Sequence, residues 1–300
     1  MSVWLPTAPC TPADCATPQW PTVGRFTAVL RLITGTTAVL VGVLLAPLAI
    51  PLTAAGRARL VSLWCRTVIR AFGVRVRIVG SPVSAGAGGM LVVPNHISWL
   101  DIPLVAAVLP GRMLAKREVR QWPVLGPVAG FGGTLFVDRD RLRALPGVVR
   151  TMADALSAGS RVIVFPEGST WCGREKGRFR NAAFQSALDA GAAVQPVRIS
   201  YGPVGAAAFV GEDALAASLW RVATAAGLTA EIKVLPPIPA GSHADRRSLA
   251  RAAHRAVAGG EAATFLHTAV DNDSANLPSP SVHHSDNLSP ASASSVHTLS

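Results

Sequence analysis

Six short runs rich in β-branched residues recur along the chain: VRVRIVG from Val74, MLVVP from Met90, TLFVDR from Thr134, RVIVFP from Arg161, VQPVRIS from Val194 and EIKVLP from Glu231. Helical patterns near 99–108, 141–157, 178–190, 212–226 and 245–258 separate many of them. Strands spaced by helices in this way predict an α/β layer architecture, a mixed and largely parallel central sheet flanked by helices. A chain of 300 residues, 50% hydrophobic, has ample material for one such domain with appendages.

One appendage is apolar. From Ile33 to Gly56 no residue is charged, and TTAVLVGVLLAPLAIPL is long enough to cross a bilayer. Pro47 and Pro51 interrupt its second half, and arginines flank both ends: Arg25 and Arg31 before, Arg57, Arg59, Arg66 and Arg70 after. The positive-inside rule then puts both ends on the cytoplasmic side, which suggests a re-entrant or one-leaflet helical hairpin. A single full span and a buried helix are the alternatives. From Arg57 to Phe72, helical spacing groups Leu60, Leu63, Trp64, Val68 and Phe72, read as an amphipathic helix on the headgroups or as a surface helix over a core.

The predicted layout is therefore a disordered lead over 1–24, punctuated by Pro6, Pro9, Pro12, Pro18 and Pro21, a membrane-associated helical segment over 25–73, an α/β domain over 74–267 and a disordered, low-complexity tail over 268–300. All 28 Lys and Arg residues lie at or before Arg255, with only 13 of the 17 acids, so the folded part calls for an anionic partner. With 6% aromatic residues, a single Tyr and no zinc-finger or RNP pattern, nucleic acid is not expected. An anionic lipid surface or a phosphorylated substrate accounts for the charge. Cys10, Cys15, Cys65 and Cys172 give no metal-ligand quartet, so no metal is expected; Cys10 and Cys15 are the one pair close enough to bond. His283 and His284 lie in the polar tail, where solvent exposure is expected.

The chemistry concentrates in Pro94-Asn95-His96-Ile97-Ser98-Trp99-Leu100-Asp101, at the end of a buried-looking strand. A histidine there stands at the lip of the sheet, where open α/β folds place ligands. About one helical turn brings Asp101 back to the imidazole, where an acid fixes the tautomer and stabilises the imidazolium. Such a dyad suits activating a hydroxyl that the substrate brings. A second element, Phe165-Pro166-Glu167-Gly168-Ser169-Thr170, follows another apolar strand and forms a turn open to a ligand. A third runs from Lys116, Glu118, Pro123 and Gly126 to Gly133-Thr134-Leu135-Phe136-Val137-Asp138-Arg139; Lys116 after a strand and Arg139 at a strand end would converge on a phosphate.

Together these blocks resemble the glycerolipid acyltransferase family, which includes bacterial 1-acylglycerol-3-phosphate acyltransferases. Over roughly residues 58–205 its blocks occur in order: NHxxxxD at Asn95 to Asp101, Lys116 to Arg139, FPEG from Phe165, and the Pro-containing strand at Gln195-Pro196-Val197. The resemblance implies that His96 is the general base and Asp101 its partner, that Lys116 and Arg139 bind the acceptor's phosphate, and that Glu167, Gly168 and Ser169 shape the acceptor pocket. It implies acyl transfer from acyl-CoA or acyl carrier protein to a lysophospholipid at the cell membrane, the catalytic domain on the cytoplasmic face, with no cofactor. The expected acceptor is 1-acyl-sn-glycerol-3-phosphate, with lyso-ornithine lipid as an alternative. The third block departs from the family's EGTR, reading Glu167-Gly168-Ser169-Thr170, so Arg174, Lys176 or Arg178 would have to supply the missing cation. Oxyanion donors are expected among backbone N–H groups near the helix that begins after His96. A covalent route through Ser98 or Cys172, a lipid hydrolase and a non-catalytic lipid-binding protein are the competing readings.

Overall fold

The computed structural model describes residues 8–17, 19–80, 88–122, 126, 129–130, 132–138 and 142–259. The helices are α1 (Pro12–Cys15), α2 (Arg25–Leu45), α3 (Ala54–Ala71), α4 (Asp101–Val108), α5 (Leu145–Ser157), α6 (Ala182–Asp189), α7 (Val204–Ala207), α8 (Leu215–Thr224) and α9 (Arg246–Ala258). The strands are β1 (Arg75–Val79), β2 (Met90–Pro94), β3 (Arg112–Lys116), β4 (Leu135–Val137), β5 (Arg161–Ile163), β6 (Ala193–Gly202) and β7 (Thr229–Val234). They form one sheet in the order β1-β7-β6-β2-β5-β3-β4, parallel throughout except between β6 and β7. The mixed, largely parallel sheet is the one expected. All six β-rich runs supply strands, and β3 is the strand expected before Lys116, ending on that residue.

Helices cover both faces. Along β2, Met90 and Val92 pack into one core with Ile69 of α3, Leu104 of α4 and Val222 of α8, while Leu91 and Val93 pack into the other with Leu156 of α5, Phe184 of α6 and Leu249 of α9. Successive residues of a strand point to opposite faces, so a strand covered on both sides must be apolar at every position. That is why β2 is buried along its whole length.

The apolar segment folds as a hairpin. α2, 21 residues and about 31 Å long by its rise, turns through a short 3-10 segment at Ala46–Ala49 and returns as α3. Two glycines allow the close approach: a Cβ on Gly42 would lie 2.0 Å from the Trp64 indole, and one on Gly35 2.6 Å from the Phe72 ring. Trp64 Nε1 donates to the Ala38 carbonyl at 2.8 Å, and Arg31 donates to the carbonyls of Ala223 and Ala225, tying the hairpin to α8. The outer surface stays apolar, with Phe26, Ile33, Leu44, Leu48 and Ile50 exposed.

In this half the structure favours one of the two readings of α3, a helix over a core, and corrects the expectation for the lead. The stripe on α3 does not face outward as a unit: Val68 and Phe72 are buried and Trp64 lies against α2, leaving Leu60 and Leu63 exposed. Helical spacing defines a face, not what covers it. The lead, expected to be disordered, is seated on the domain over its described residues. Val23 N donates to Thr224 O at 2.8 Å and Ala226 N to Pro21 O at 2.8 Å, so chain without periodicity is held by backbone pairing. Cys10 and Ala16 are buried there, and Cys172 joins Cys10 and Cys15 as a third thiol. The tail over 268–300, with His283 and His284, lies outside the described residues.

Candidate active site

Strand β2 delivers the site. Pro94 has no N–H to continue the ladder, and Asn95 takes over with its side chain: Nδ2 donates to Ile199 O at 3.0 Å and Oδ1 accepts from Ile199 N at 2.7 Å. The next residue, His96, therefore leaves the sheet from a fixed point beside β6.

Asp101, the first residue of α4, is fully buried, whereas the His96 side chain keeps 18% of its surface exposed. Asp101 Oδ2 lies 2.8 Å from His96 Nδ1 and also accepts from Ile97 N at 2.6 Å and Ser98 N at 2.8 Å. Tyr201 Oη donates to the other oxygen, Oδ1, at 2.6 Å. A buried carboxylate needs such compensation for lost hydration. With two amides already donating to Oδ2, the imidazole must donate there too. Nδ1 thus carries the proton and Nε2 is the basic nitrogen.

The Phe165 ring stacks on His96, centroids 4.1 Å apart and planes 24° from parallel. Below it, Glu167 is buried and its Oε2 accepts from His96 N at 3.0 Å. Burial pushes the Glu167 carboxyl up to about 8, outweighing the opposing His96 and Gly177 amides; nearby Asp101 adds to the rise and Lys176 opposes it. Glu167 is expected to shape the acceptor pocket. The structure turns it inward, where it holds the backbone under the imidazole. Gly168 takes φ +78° and donates its N–H to Phe165 O at 3.2 Å, making the tight turn that leads to the part-buried Ser169.

Lys116 ends β3 and is exposed; its register partner on β4 is Val137. Because β2, β5 and β3 are parallel neighbours, His96, Glu167 and Lys116 leave the same edge of the sheet. His96 and Lys116 are two strand spacings apart, about 10 Å. Arg139 lies outside the described residues, as does Pro123. Among the replacements considered for the missing arginine, Lys176 acts electrostatically on Glu167, while Arg174 and Arg178 are exposed.

The profile of the Acyltransferase family matches residues 75–200, which run from β1 through the dyad and Glu167 into β6. The lyso-ornithine lipid O-acyltransferase of Pseudomonas aeruginosa is 39% identical over 209 residues, covering 67% of this chain and 78% of that protein. This chain belongs to the acyltransferase family. The 1-acyl-sn-glycerol-3-phosphate acyltransferase of Neisseria gonorrhoeae is 36% identical over 175 residues, 57% of this chain and 69% of that one. The crystal structure of the 1-acyl-sn-glycerophosphate (LPA) acyltransferase PlsC from Thermotoga maritima has the same fold, with a TM-score of 0.62 at 19% identity over 85% of this chain and 97% of that one.

In this acyltransferase several amides around His96 serve the dyad itself. His96 N donates to Glu167, Ile97 N and Ser98 N to Asp101, and Leu100 N to Ser98 Oγ at 3.3 Å. Through these bonds the loop after His96 organises the dyad. Ser98 and Cys172, considered as nucleophiles, are 0% and 2% exposed.

Tyr201 and Phe165 had not been assigned site roles. Strand β6 pairs with β2 only as far as Val197 opposite Pro94, then runs on through Gly202, and this overhang carries Tyr201 to the acyltransferase dyad. The available signal was the period-2 series Val197, Ile199, Tyr201, all buried, ending in the chain's single tyrosine.

Proposed function

We propose that the protein transfers a fatty acyl group from an acyl thioester, acyl-CoA or acyl carrier protein, to the hydroxyl of a lysophospholipid at a membrane surface. The carrying observation is the 2.8 Å pair of His96 Nδ1 and Asp101 Oδ2, with every other contact of that carboxylate directed at keeping it in place. His96 Nε2 takes the proton of the acceptor hydroxyl as its oxygen attacks the thioester carbonyl. The tetrahedral oxyanion collapses, the C–S bond breaks, and the departing thiolate takes the proton from His96. The buried state of Ser98 and Cys172 favours this direct transfer over an acyl-enzyme. Asp101, Glu167 and Tyr201 act as positioning residues.

The expected acceptor is 1-acyl-sn-glycerol-3-phosphate, its phosphate met by Lys116 and Arg139, and the product is phosphatidic acid. Two observations favour a second reading, in which the acceptor is a lyso-ornithine lipid. Thr170 stands where the family's block carries arginine, and a relative at 39% identity is named for that acceptor. The hairpin would seat the enzyme in one leaflet, with Phe26, Leu44, Leu48 and Ile50 among the acyl chains and the sheet edge at the cytoplasmic headgroups. Purified protein in detergent, given labelled acyl-CoA and a panel of lysophosphatidate, lysophosphatidylcholine and lyso-ornithine lipid, tests this. Transfer to lysophosphatidate supports the first reading, and preference for lyso-ornithine lipid the second. Acceptor-independent release of free fatty acid overturns acyl transfer as the physiological reaction.

A further inference from the structure

Three of the four cysteines converge away from the dyad. The sulfurs of Cys10, Cys15 and Cys172 lie within 4.8 Å of one another. Cys10 precedes the one-turn helix α1 and Cys15 ends it, so four intervening residues bring the two thiols to one side. Cys172 arrives from the segment that follows Glu167, and Gly173 at φ +84° turns the chain so that Glu175 N donates to Cys172 Sγ at 3.4 Å. Glycines again permit the approach, since a Cβ on Gly205 would lie 2.9 Å from Cys15 O and one on Gly211 3.1 Å from Cys10 O.

We propose that Cys10, Cys15 and Cys172 form a tri-thiolate site for a thiophilic d10 cation of the Zn²⁺ class. Thiolate ligands sit about 2.3 Å from zinc, which puts tetrahedrally arranged sulfurs about 3.8 Å apart. Sulfurs no more than 4.8 Å apart are within about 1 Å of that spacing. A disulfide uses two sulfurs at about 2.05 Å and leaves the third as an odd thiol, so it explains the trio less well. Soft sulfur ligands select zinc or cuprous ions over magnesium or calcium, and an amide donating to a ligand sulfur is the kind of outer contact that steadies a metal thiolate. Binding would release the thiol protons and leave a fourth position for solvent.

The site would supply order that packing does not. The apolar cluster there holds Cys10, Cys172 and Val210, with Ala8, Cys15 and Trp171 at its edge, which is little burial for a lead with a single turn of helix. Trp171 N also donates to His96 O at 2.8 Å, so an ion on Cys172 fixes the segment alongside the dyad histidine. Here the ion is structural, and the proposal stands independently of which acceptor the enzyme uses.

The test uses full-length protein carrying no polyhistidine tag, purified in detergent with reductant and supplied with zinc. Mass spectrometry should find about one zinc per chain, and exchange with Co²⁺ should give a near-ultraviolet sulfur-to-cobalt charge-transfer band. Cys172→Ser should weaken that band by about a third or abolish binding, while Cys65→Ala, in the remote core, should leave both readings unchanged. Substoichiometric zinc with no charge-transfer band in the wild type overturns the proposal whether or not the variants fold. So does a Cys10–Cys15 or Cys–Cys172 disulfide that forms in the zinc-supplied, reduced protein, or a Cys172→Ser variant that holds metal as the wild type does.

Discussion

Tyr201 Oη stands 2.6 Å from Asp101 Oδ1, on the opposite side of the carboxylate from His96, so the group that steadies the imidazole is itself clamped from a strand 100 residues away. Burial and the neighbouring Asp101 charge hold the Tyr201 phenol well above its ordinary range, so it remains a donor at any working pH. Replacing it with phenylalanine leaves Oδ1 buried without this donor, at a cost of about 1–3 kcal/mol. Tyr201→Phe should therefore lower the unfolding midpoint and reduce kcat by about tenfold to a hundredfold with KM nearly unchanged. A rise in KM at constant kcat would show that Tyr201 serves binding instead of the dyad.

Removal of the dyad itself should be far more severe. Asp101→Asn places an amide where three donors converge, so His96 loses both its orienting acceptor and the tautomer that leaves Nε2 basic. Loss of kcat by about 10²–10⁴ is expected for His96→Ala and Asp101→Asn alike, and the double variant should be little worse than either. Ser98→Ala should retain substantial turnover, and rapid quench with labelled acyl-CoA should trap no acyl-enzyme. A covalent acyl group on Ser98 or Cys172 would replace direct transfer with a two-step route.

How much of this could be read from sequence follows from how local each contact is. His96 and Asp101 meet within one loop, so their spacing already encodes the contact. Tyr201 depends on β6 outrunning β2, which no local pattern records. Glu167 is marked by its block but its bond to His96 N is not, because strand-then-turn fixes where a carboxylate leaves the sheet and not which way it folds back. The seating of the lead is not legible because it rests on backbone pairing to 224–226 and on packing beside a thiol 157 or more positions away, and neither leaves a periodic trace.

The inward turn of Glu167 has a pH signature. Its carboxyl is raised from 4.5 to about 8 in the folded protein, so between those values the native state holds a proton that the unfolded chain has released. Its contribution to stability is complete below about 4.5 and disappears as pH rises through about 8, at up to roughly 1.4 kcal/mol per pH unit. Urea unfolding in mild detergent at several pH values should show Glu167→Gln losing less stability than the wild type between pH 5.5 and 7.5. Parallel pH slopes for the two proteins would mean that Glu167 is ionised in the native state.

The hairpin makes a prediction about partitioning. Leu44 and Leu48 are 76% and 69% exposed near its tip, and burying a leucine is worth about 1.5–3 kcal/mol. Leu44→Ser with Leu48→Ser should weaken binding to anionic vesicles by at least about a hundredfold while leaving the far-ultraviolet dichroism unchanged, because neither side chain packs on the domain. Vesicle flotation measures the first and dichroism the second. Undiminished flotation would assign attachment to the basic surface alone.

The proposed phosphate contact lies further along the same sheet edge. Lys116 ends β3 beside Val137 of β4, and β3 lies two strand spacings, about 10 Å, from the strand that delivers the dyad. A charge-assisted contact is worth about 1.5–3 kcal/mol, so Lys116→Ala and Arg139→Ala should each raise KM for lysophosphatidate about 10- to 100-fold, with kcat changed less. Lyso-ornithine lipid has no phosphate, and its KM should then move little in the same variants. Equal losses on both acceptors would mean that these cations serve the acyl donor or the membrane, and the missing arginine at position 170 would then mark an enzyme whose acceptor is not a phosphomonoester.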